Sequence, residues 1–262
     1  MSSNSNKERN KMKITILGSG SFISSLDHFG PGYLIEINGK KILIDAGQGT
    51  MIQLLKLGVK FEEIDYILLT HFHADHVADL APLLLWRKIA RRQNIGLDKT
   101  IRIYGPEGTE NFIGALFKNF NDIGGDWYEA SSTSGEMEIE GIKIEPFYVI
   151  HKDLKALAYR MKFGNKVLVF SGDSAECEGI WEASKNADVF IVDASLPNGI
   201  KNNIHLNSEQ IGNICQENNV KKVILSHLTP WVFEKDIISE VREAFGGEIV
   251  LAKDLLEFEI GE

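Results

Sequence analysis

The feature that most constrains this chain is a ten-residue stretch, Ile67-Leu68-Leu69-Thr70-His71-Phe72-His73-Ala74-Asp75-His76. It begins as an apolar run, which is typical of a buried strand, and then places three imidazoles and one carboxylate within six residues. His71, His73 and Asp75 are spaced by two, so an extended backbone would project them to one side. A sharp turn could bring His76 round to join them.

This crowding of ionisable side chains predicts a metal-binding loop between a strand and a helix. Imidazoles and a carboxylate packed this closely would be costly to desolvate without a cation. His and Asp ligands without a thiolate suit zinc, iron or manganese. We predict that the helix covers residues 77–92, with Asp75 near its start, where an acidic side chain favours the helix dipole.

The predicted helix carries a cluster of positive charge near its end. Its four cations are Arg87, Lys88, Arg91 and Arg92. We interpret them as a solvated helix face, and a basic collar for an anionic substrate is the alternative.

Length and composition limit the class of protein. The chain has 262 residues, of which 44% are hydrophobic, and this is enough for one large α/β domain. Its formal net charge of −9 argues against a protein that coats nucleic acid indiscriminately, although it leaves room for a local basic site. We find no apolar run long enough to cross a membrane. Residues 1–11 lack the apolar core of a signal peptide, so we expect a disordered leader there and a single domain over residues 12–262.

The two cysteines point to a reducing compartment. Cys177 and Cys215 have no metal-type spacing. A lone disulfide is an alternative, but we expect two buried, reduced thiols in a cytoplasmic protein.

Further polar residues stand where predicted strands end. Asp173 follows a buried strand beside Gly172, where each carboxylate oxygen could serve one of two cations. The other residues in such positions, or at the start of a predicted helix, are Asp45, His151, Asp193, His205 and His227. The Gly18-Ser19-Gly20 turn lacks the third glycine of a dinucleotide fingerprint and the helix that would follow it, so we expect no Rossmann-type site.

The loop over residues 70–76 resembles the His-x-His-x-Asp-His signature of the metallo-β-lactamase superfamily, and the other candidates follow in that family's order. This resemblance implies an α/β fold, a four-layer αββα sandwich. It also implies that Asp45 braces the metal loop by hydrogen bonds. The implied ligands of one metal are His71, His73, His151 and Asp173, and those of the other are Asp75, His76, Asp173 and His227.

The same resemblance implies a dinuclear hydrolase. Two divalent ions would share a hydroxide that acts as the nucleophile. We expect Zn²⁺, with Mn²⁺ or Fe²⁺ as alternatives and no organic cofactor. Asp75 is counted among the catalytic residues as well as among the ligands.

The stretches 18–20, 171–173 and 205–211 look most like ribonuclease Z and related phosphodiesterases. This likeness would make His205 a general acid that protonates the leaving oxygen, oriented by Asp193. There are two departures from the pattern. Residues 192–195 read Val-Asp-Ala-Ser in place of His-Glu-Ala-Thr, and no Gly/Lys-rich insertion of the size of a tRNA-binding arm stands between residues 76 and 227. We therefore expect hydrolysis of a small or single-stranded phosphodiester rather than tRNA processing.

Two other functions stay open at this point. The same metals could serve a hydrolase of carboxylic esters, lactones or thioesters, or a non-hydrolytic metal-binding or redox protein. The sequence leaves the oligomeric state open, although a homodimer is common in the family, and no membrane partner is expected.

Several aromatic and polar residues have no assigned role. Residues 121–135 are predicted to be a loop whose aromatics either lie over the site or cap the core. The sequence leaves open whether Asp27, His28, Trp127 or Trp231 contacts a ligand.

Overall fold

The protein is described here by a computed structural model. The structure describes residues 11–23, 25–93, 95, 99–119, 127–133, 135–200 and 202–261. Two mixed β-sheets pack face to face, and helices cover the outer face of each sheet. This is the four-layer sandwich that the sequence predicts. Of the predicted leader, residues 1–10 lie outside the described residues, and Lys11 belongs to the first strand.

The first sheet is mixed. Within the described ranges its strands are β1 (Lys11–Gly18), β2 (Gly32–Ile37), β3 (Lys40–Ile44), β4 (Ile64–Leu68), β5 (Ile101–Gly105), β6 (Tyr128–Ser132) and β14 (Leu256–Gly261). Their order is β14-β1-β2-β3-β4-β5-β6, antiparallel as far as β3 and parallel from β3 onwards. An Asn-Gly pair between two apolar runs predicts a tight β-hairpin, and Asn38 and Gly39, both with positive φ, form one between β2 and β3.

The second sheet repeats this mixed arrangement. In the part of the chain that is described, its strands are β7 (Met137–Ile139), β8 (Ile142–His151), β9 (Leu154–Phe163), β10 (Lys166–Phe170), β11 (Val189–Asp193), β12 (Lys222–Ser226) and β13 (Glu248–Leu251). They stand in the order β13-β12-β11-β10-β9-β8-β7. The pairs from β7 to β10 are antiparallel, and the pairs from β10 to β13 are parallel.

Helices cover both outer faces. They are α1 (Thr50–Lys56), α2 (Ala74–Val77), α3 (Leu80–Arg92), α4 (Thr109–Asn119), α5 (Glu178–Ser184), α6 (Ser208–Glu217) and α7 (Ile237–Arg242). Leu54, Leu84 and Phe117 bury the inner faces of α1, α3 and α4 against the first sheet. Ile180 and Ile211 do the same for α5 and α6 on the second sheet.

A third apolar layer lies between the two sheets. Ile14 and Ile35 of the first sheet share this layer with Leu157, Tyr159 and Phe170 of the second sheet. The hydroxyl of Tyr159 is buried but donates a hydrogen bond of 2.7 Å to the Leu69 carbonyl, so its polar atom is satisfied. The core therefore joins the sheets directly beneath the metal-binding loop predicted after β4.

The helix predicted over residues 77–92 is divided between α2 and α3. The Ala46 backbone causes this break, because its N–H donates to the His76 carbonyl (2.8 Å) and its carbonyl accepts from the Asp79 N–H (2.9 Å). These bonds compete with the continuous ladder that one helix would need. The break ties the start of α3 to the turn after β3.

The interpretation of Arg87 as part of a solvated face is wrong. Its side chain is buried, and its guanidinium donates to the backbone carbonyls of Phe61, Glu62 and Ile64. Arginine offers five donors and therefore satisfies several carbonyls of one turn at once. Lys88 is buried as well, whereas Arg92 is exposed, as expected.

The loop predicted over residues 121–135 is also partly wrong. Residues 128–132 form β6, which extends the sheet by pairing in parallel with β5. Trp127 is buried, with its ring centroid 5.2 Å from that of Phe117, so it belongs to the core. Residues 120–126 and 134 lie outside the described residues.

Two further points concern the class of protein. Among the helices of the described ranges, none is both long enough and apolar enough to span a membrane. Cys177 and Cys215 are free thiols, and Cys215 is buried as predicted, whereas Cys177 is partly exposed.

Candidate metal centre

Polar side chains from distant parts of the chain meet at one edge of the sandwich. Asp173, Asp193 and His227 stand at the carboxyl ends of β10, β11 and β12, which are parallel neighbours. His151 ends β8, which runs in the same direction as β10 because two antiparallel pairings separate them. Ligand sites form where the carboxyl ends of strands meet. The first sheet supplies residues 71–76, which follow β4.

The potential ligands fall into two groups that share one carboxylate. Within each group the ligand atoms all lie within 4.8 Å of one another. The two groups are His71, His73, His151 and Asp173, and Asp75, His76, Asp173 and His227. They coincide with the two sets implied by the sequence resemblance.

The Asp173 carboxylate lies between the two groups. Its Oδ2 atom is 3.9 Å from His71 Nε2 and 3.7 Å from His151 Nε2. Its Oδ1 atom is 3.1 Å from His76 Nε2 and 3.3 Å from His227 Nε2. Each oxygen therefore faces one group, as a carboxylate that bridges two cations would.

Atoms without partners show that this cluster suits a metal ion. His71 Nε2, His76 Nε2 and Asp173 Oδ1 are buried and have no hydrogen-bond partner among the described residues. Leaving such an atom unsatisfied costs about 1–3 kcal/mol. Imidazole nitrogen and carboxylate oxygen are ligands of zinc, iron and manganese, so the residues present fit a divalent ion.

The other ring nitrogen of each of four histidines is held by an acceptor. A donated Nδ1–H leaves the Nε2 lone pair for the cluster, and such outer bonds orient metal-binding histidines. The acceptors are Thr70 Oγ1 for His71 (3.1 Å), Asp45 Oδ2 for His76 (2.8 Å), the Ile204 carbonyl for His151 (2.9 Å) and Ser195 Oγ for His227 (2.7 Å). The four Nε2 atoms therefore point to the cluster, where each could bind a cation once it has lost any proton it carries.

Asp45 supports the metal loop as the resemblance implies. Its Oδ1 accepts from the Thr70 N–H and its Oδ2 accepts from the Thr70 hydroxyl, both at 2.8 Å. The same Oδ2 accepts from His76. The predicted hydrogen bonds are confirmed, and they connect β3 to the loop after β4.

Two residues at the site have a strained backbone. The φ angles of Asp45 and His227 are 54° and 55°, in a region that L-residues rarely adopt. Such strain costs on the order of 1–3 kcal/mol and persists where surrounding contacts over-determine it. For His227 one such contact is Ser195, whose hydroxyl accepts from the imidazole and itself donates to Asp193.

The protonation of the cluster depends on burial and on the neighbouring carboxylates. Burial lowers the pKa of His71 well below its ordinary value. Burial acts the same way on His227, but the charge of Asp173 and hydrogen bonds to Asp193 and Asp75 outweigh it and raise the pKa of His227 to about 10. A bound cation acts in the opposite direction, because a ligating nitrogen has to lose its proton.

His205 and Asp193 form a hydrogen-bonded pair beside the two groups. His205 Nδ1 is 2.7 Å from Asp193 Oδ2, and the His205 ring centroid is 5.2 Å from that of His151. Burial opposes the charged imidazolium, but the charge and hydrogen bond of Asp193 outweigh it and raise the pKa of His205. These two residues also fall within ligand distance of Asp173 and His227. Because they satisfy each other directly, they need no ion.

A helix cap positions His205. Asn207 caps α6, with its side chain accepting from the Gln210 N–H (2.9 Å) while the Gln210 side chain accepts from the Asn207 N–H (3.0 Å). The His205 N–H donates to Asn202 Oδ1 at 2.9 Å. The backbone is therefore held on both sides of the imidazole.

Residues 12–241 match the family described as "Anti-Pycsar protein Apyc1". The chain belongs to the Apyc1 family.

Proteins similar to this Apyc1-family chain include metallo-hydrolases. "Probable metallo-hydrolase YhfI" of Bacillus subtilis is 27% identical over 248 residues, covering 92% of this chain and 97% of that protein. A ribonuclease Z of Mycobacterium marinum is 24% identical over 278 residues, covering 95% of this chain and 99% of the other.

Solved structures confirm the fold of the Apyc1-family chain. The crystal structure of YhfI, described as a metallo-β-lactamase fold protein, has a TM-score of 0.86 and 23% identity, and covers 96% of this chain and 100% of that one. A diphosphatase described as from the PhnP family has a TM-score of 0.71 and 23% identity, covering 95% and 98%. The predicted metallo-β-lactamase fold is therefore correct.

Sequence reasoning missed some residues of this Apyc1-family site. Ser195 links Asp193 to His227, and only its position two residues after Asp193 gave a signal. Phe22 borders the cleft that contains the cluster, although nothing in its local sequence marks it. Trp231 lies beside Phe22, with ring centroids 6.0 Å apart.

Of the other residues without an assigned role, two lie near the site and one does not. Asp27 and His28 line a neighbouring cavity. Trp127 is buried in the core. Of the two tryptophans whose role the sequence leaves open, Trp231 therefore lies beside the cleft and Trp127 lies in the core.

Proposed function

We propose that this protein hydrolyses phosphodiesters with two divalent metal ions, Zn²⁺ first and Mn²⁺ or Fe²⁺ as alternatives. We propose a small or single-stranded phosphodiester as its substrate. The observation that carries this proposal is the pair formed by His205 and the buried Asp193, placed beside the two ligand groups at the cleft. A phosphodiester needs such a group, because its leaving oxygen requires a proton when it departs as an alkoxide.

His205 supplies that proton. Its Nδ1 is bound to Asp193, so Nε2 is the atom that donates to the leaving oxygen. The His205 side chain is 16% exposed, whereas that of Asp193 is fully buried. His205 can therefore contact substrate, while Asp193 acts as a positioning residue that orients the imidazole and stabilises its charge.

The ligand groups supply the other half of the reaction. Bound divalent ions would make water nucleophilic near neutral pH and offset charge on the phosphoryl oxygens. Asp75 contributes a carboxylate oxygen 3.4 Å from His227 Nε2, where it can ligate an ion and hold a proton. Asp173, between the two groups, fixes their separation.

The names of similar proteins support hydrolysis of phosphate esters. They include a ribonuclease Z and a diphosphatase, and YhfI is named a metallo-hydrolase. The sequence between residues 76 and 227 carries no insertion of the size of a tRNA-binding arm, so we do not propose tRNA processing.

Turnover of bis(p-nitrophenyl) phosphate with added Zn²⁺ or Mn²⁺ tests the proposal. We expect metal-dependent release of p-nitrophenolate that is lost in Asp173→Ala, because both ligand groups then lose a shared carboxylate. p-Nitrophenyl butyrate, assayed in parallel, reports acyl ester hydrolysis. Turnover of the butyrate alone, or phosphodiester turnover equal to that of Asp173→Ala, would contradict the proposal.

A further inference from the structure

The loop before α6 carries His205 and is attached to the end of β8. The Ile204 carbonyl accepts a hydrogen bond from His151 Nδ1 (2.9 Å). The Lys152 N–H donates to the Asn203 carbonyl (3.1 Å). Two successive residues of the loop therefore lie against two successive residues at the end of β8, one of which, His151, is a potential metal ligand.

One peptide group connects this ligand to the acid. The Ile204 carbonyl and the His205 N–H belong to the same peptide group, which is planar. Its carbonyl accepts from His151, and its N–H donates to Asn202 Oδ1 (2.9 Å). Because the two bonds hold opposite edges of one plane, they fix its rotation. That rotation sets where the His205 Cα, and with it the imidazole, stands relative to His151.

The Asn202 side chain holds two backbone N–H groups at once. Besides the His205 N–H, its Oδ1 accepts from the Ile204 N–H (2.8 Å). Such bonds from an asparagine to the backbone two residues on are typical of a turn that the side chain itself stabilises. Asn202 is exposed, so its replacement removes these bonds without leaving a cavity in the core.

The two ends of the loop are anchored independently of Asn202. Asn207 Nδ2 donates to the Ile200 carbonyl (2.8 Å), and the Ser208 N–H donates to the Leu196 carbonyl (3.1 Å). Both bonds tie the loop to the start of α6. The chain should therefore fold without the Asn202 side chain.

The bond from His205 to Asp193 fixes only part of the position of the acid. It holds Nδ1 at 2.7 Å and so orients the ring. The ring is joined to the backbone by rotatable bonds. The place of Nε2, the atom that donates the proton, is therefore defined only when the backbone of His205 is held as well.

We propose that Asn202 is a positioning residue for the acid. It holds the peptide group between Ile204 and His205 against His151, and thereby sets where His205 stands relative to the ligand group that contains His151. The proposal rests on the proposed function, because His205 needs this defined place only if it protonates a leaving oxygen. A shift of about 1 Å in a reacting group can cost about 10²-fold in rate, so the placement matters.

Two substrates separate the acid from the metal centre. Dithymidine phosphate has a leaving alkoxide that needs a proton, and bis(p-nitrophenyl) phosphate does not. We expect Asn202→Ala to lower kcat for dithymidine phosphate by about 10- to 10²-fold, and to change kcat for bis(p-nitrophenyl) phosphate much less. Asn202→Asp keeps an accepting oxygen in the same place and should restore most of the loss.

A double variant measures whether Asn202 acts through His205. Adding Asn202→Ala to His205→Ala should lower kcat no further, because the effects of residues that act as a unit are not additive. Asn213→Ala is the matched control, since Asn213 is an exposed asparagine on α6 and should leave kcat for both substrates unchanged. A further loss in the double variant, or equal losses for the two substrates in Asn202→Ala, would overturn the proposal.

Amide hydrogen exchange, followed by NMR, reports on the same peptide group without turnover. His151 is held more firmly when it ligates Zn²⁺, so we expect Zn²⁺ to slow exchange of the His205 N–H in the wild type. In Asn202→Ala that N–H loses its acceptor and should exchange about fivefold faster or more, with or without Zn²⁺. The Lys152 N–H keeps its acceptor and should stay protected. Equal exchange of the His205 N–H in the wild type and in Asn202→Ala would also overturn the proposal.

The two proposals fail in different ways. If the wild type hydrolyses neither phosphodiester, the proposed function falls, and the role of Asn202 falls with it whatever hydrogen exchange shows. If the wild type hydrolyses both and Asn202→Ala loses kcat equally for both, only the role of Asn202 falls.

Discussion

At the scale of single residues, hydrogen-bond partners decide what each histidine can do. His71 and His151 use Nδ1 towards Thr70 and a backbone carbonyl, so their Nε2 atoms are left for a metal ion. His205 uses Nδ1 towards a carboxylate, as the buried His76 does, but its side chain is 16% exposed at the cleft, and the charge of Asp193 favours its protonated form there. The same side chain type therefore serves as ligand in one place and as acid in another.

A change at His205 should depend on the leaving group. We expect His205→Ala to lower kcat by about 10²–10⁴-fold for dithymidine phosphate, whose alkoxide needs a proton. The loss should be much smaller for bis(p-nitrophenyl) phosphate, because p-nitrophenolate leaves without one. Comparison of kcat for the two substrates checks this, and equal losses would mean that His205 acts in binding or in metal retention.

The pH dependence of the same step follows from the raised pKa of His205. The acid works only while protonated, so kcat for dithymidine phosphate should fall as the pH rises through this pKa. Asp193→Asn removes the charge that raises it, so the fall should move to lower pH. A pH profile of kcat for both proteins tests this, and an unchanged position of the basic limb would count against the role of Asp193.

At the scale of elements, the turn after β3 and the loop after β4 fit closely together. Asp45 accepts hydrogen bonds from Thr70 and His76, and Ala46 bonds to the His76 backbone. A Cβ on Gly47 would lie 2.2 Å from the Asp75 carbonyl oxygen. Only glycine allows the two backbones to approach this closely.

We expect Gly47→Ala to lower the free energy of unfolding by about 1–3 kcal/mol, because the obstructing atom belongs to backbone and cannot turn aside. Gly114→Ala in α4 is the matched control. A Cβ there meets nothing within 4 Å, so the change should stabilise the helix by up to about 1 kcal/mol. Urea unfolding measures both variants, and a Gly47→Ala protein as stable as wild type would refute the close approach.

At the scale of the whole molecule, the two sheets are joined by their apolar layer and by the polar cluster at one edge. The first sheet supplies residues 71–76, and the second supplies His151, Asp173 and His227. Asp173 Oδ1 and two histidine nitrogens have no hydrogen-bond partner within the part of the chain that is described. An ion bound there would link the sheets, and it would bind the folded chain far better than the unfolded one.

Removal of metal should therefore lower the Tm. A ligand at a hundred times its Kd adds about 2.7 kcal/mol, which corresponds to roughly 5–10 °C for a chain of this size. Differential scanning calorimetry with Zn²⁺ and with EDTA measures the shift, and Asp173→Ala should lose most of it. A Tm that is the same with Zn²⁺ and with EDTA would contradict metal binding at the cluster.

Features that depend on neighbouring residues in the chain can be predicted from the sequence, whereas features that depend on distant segments cannot. The Asn38-Gly39 hairpin and the helix cap depend on neighbours in the chain, so the sequence predicts the hairpin and narrows the cap to Asn207 or Ser208, of which the structure uses Asn207. Arg87 was misjudged, because helix periodicity does not reveal carbonyls that a distant turn places beside the side chain. The β6 strand was missed because it has few apolar alternations and owes its form to pairing with β5.

The sequence by itself determined the ligand types, the loop over residues 71–76 and, through resemblance, the order in which His151, Asp173 and His227 follow. The sequence alone shows these features, because it reveals an imidazole or a carboxylate that directly follows a predicted strand. The tertiary structure alone decided that Asp173 faces both groups, that Ser195 links Asp193 to His227, and that Phe22 and Trp231 border the cleft. These features depend on segments that only the packing of two sheets brings together, and no pattern within a single segment encodes a distance between segments.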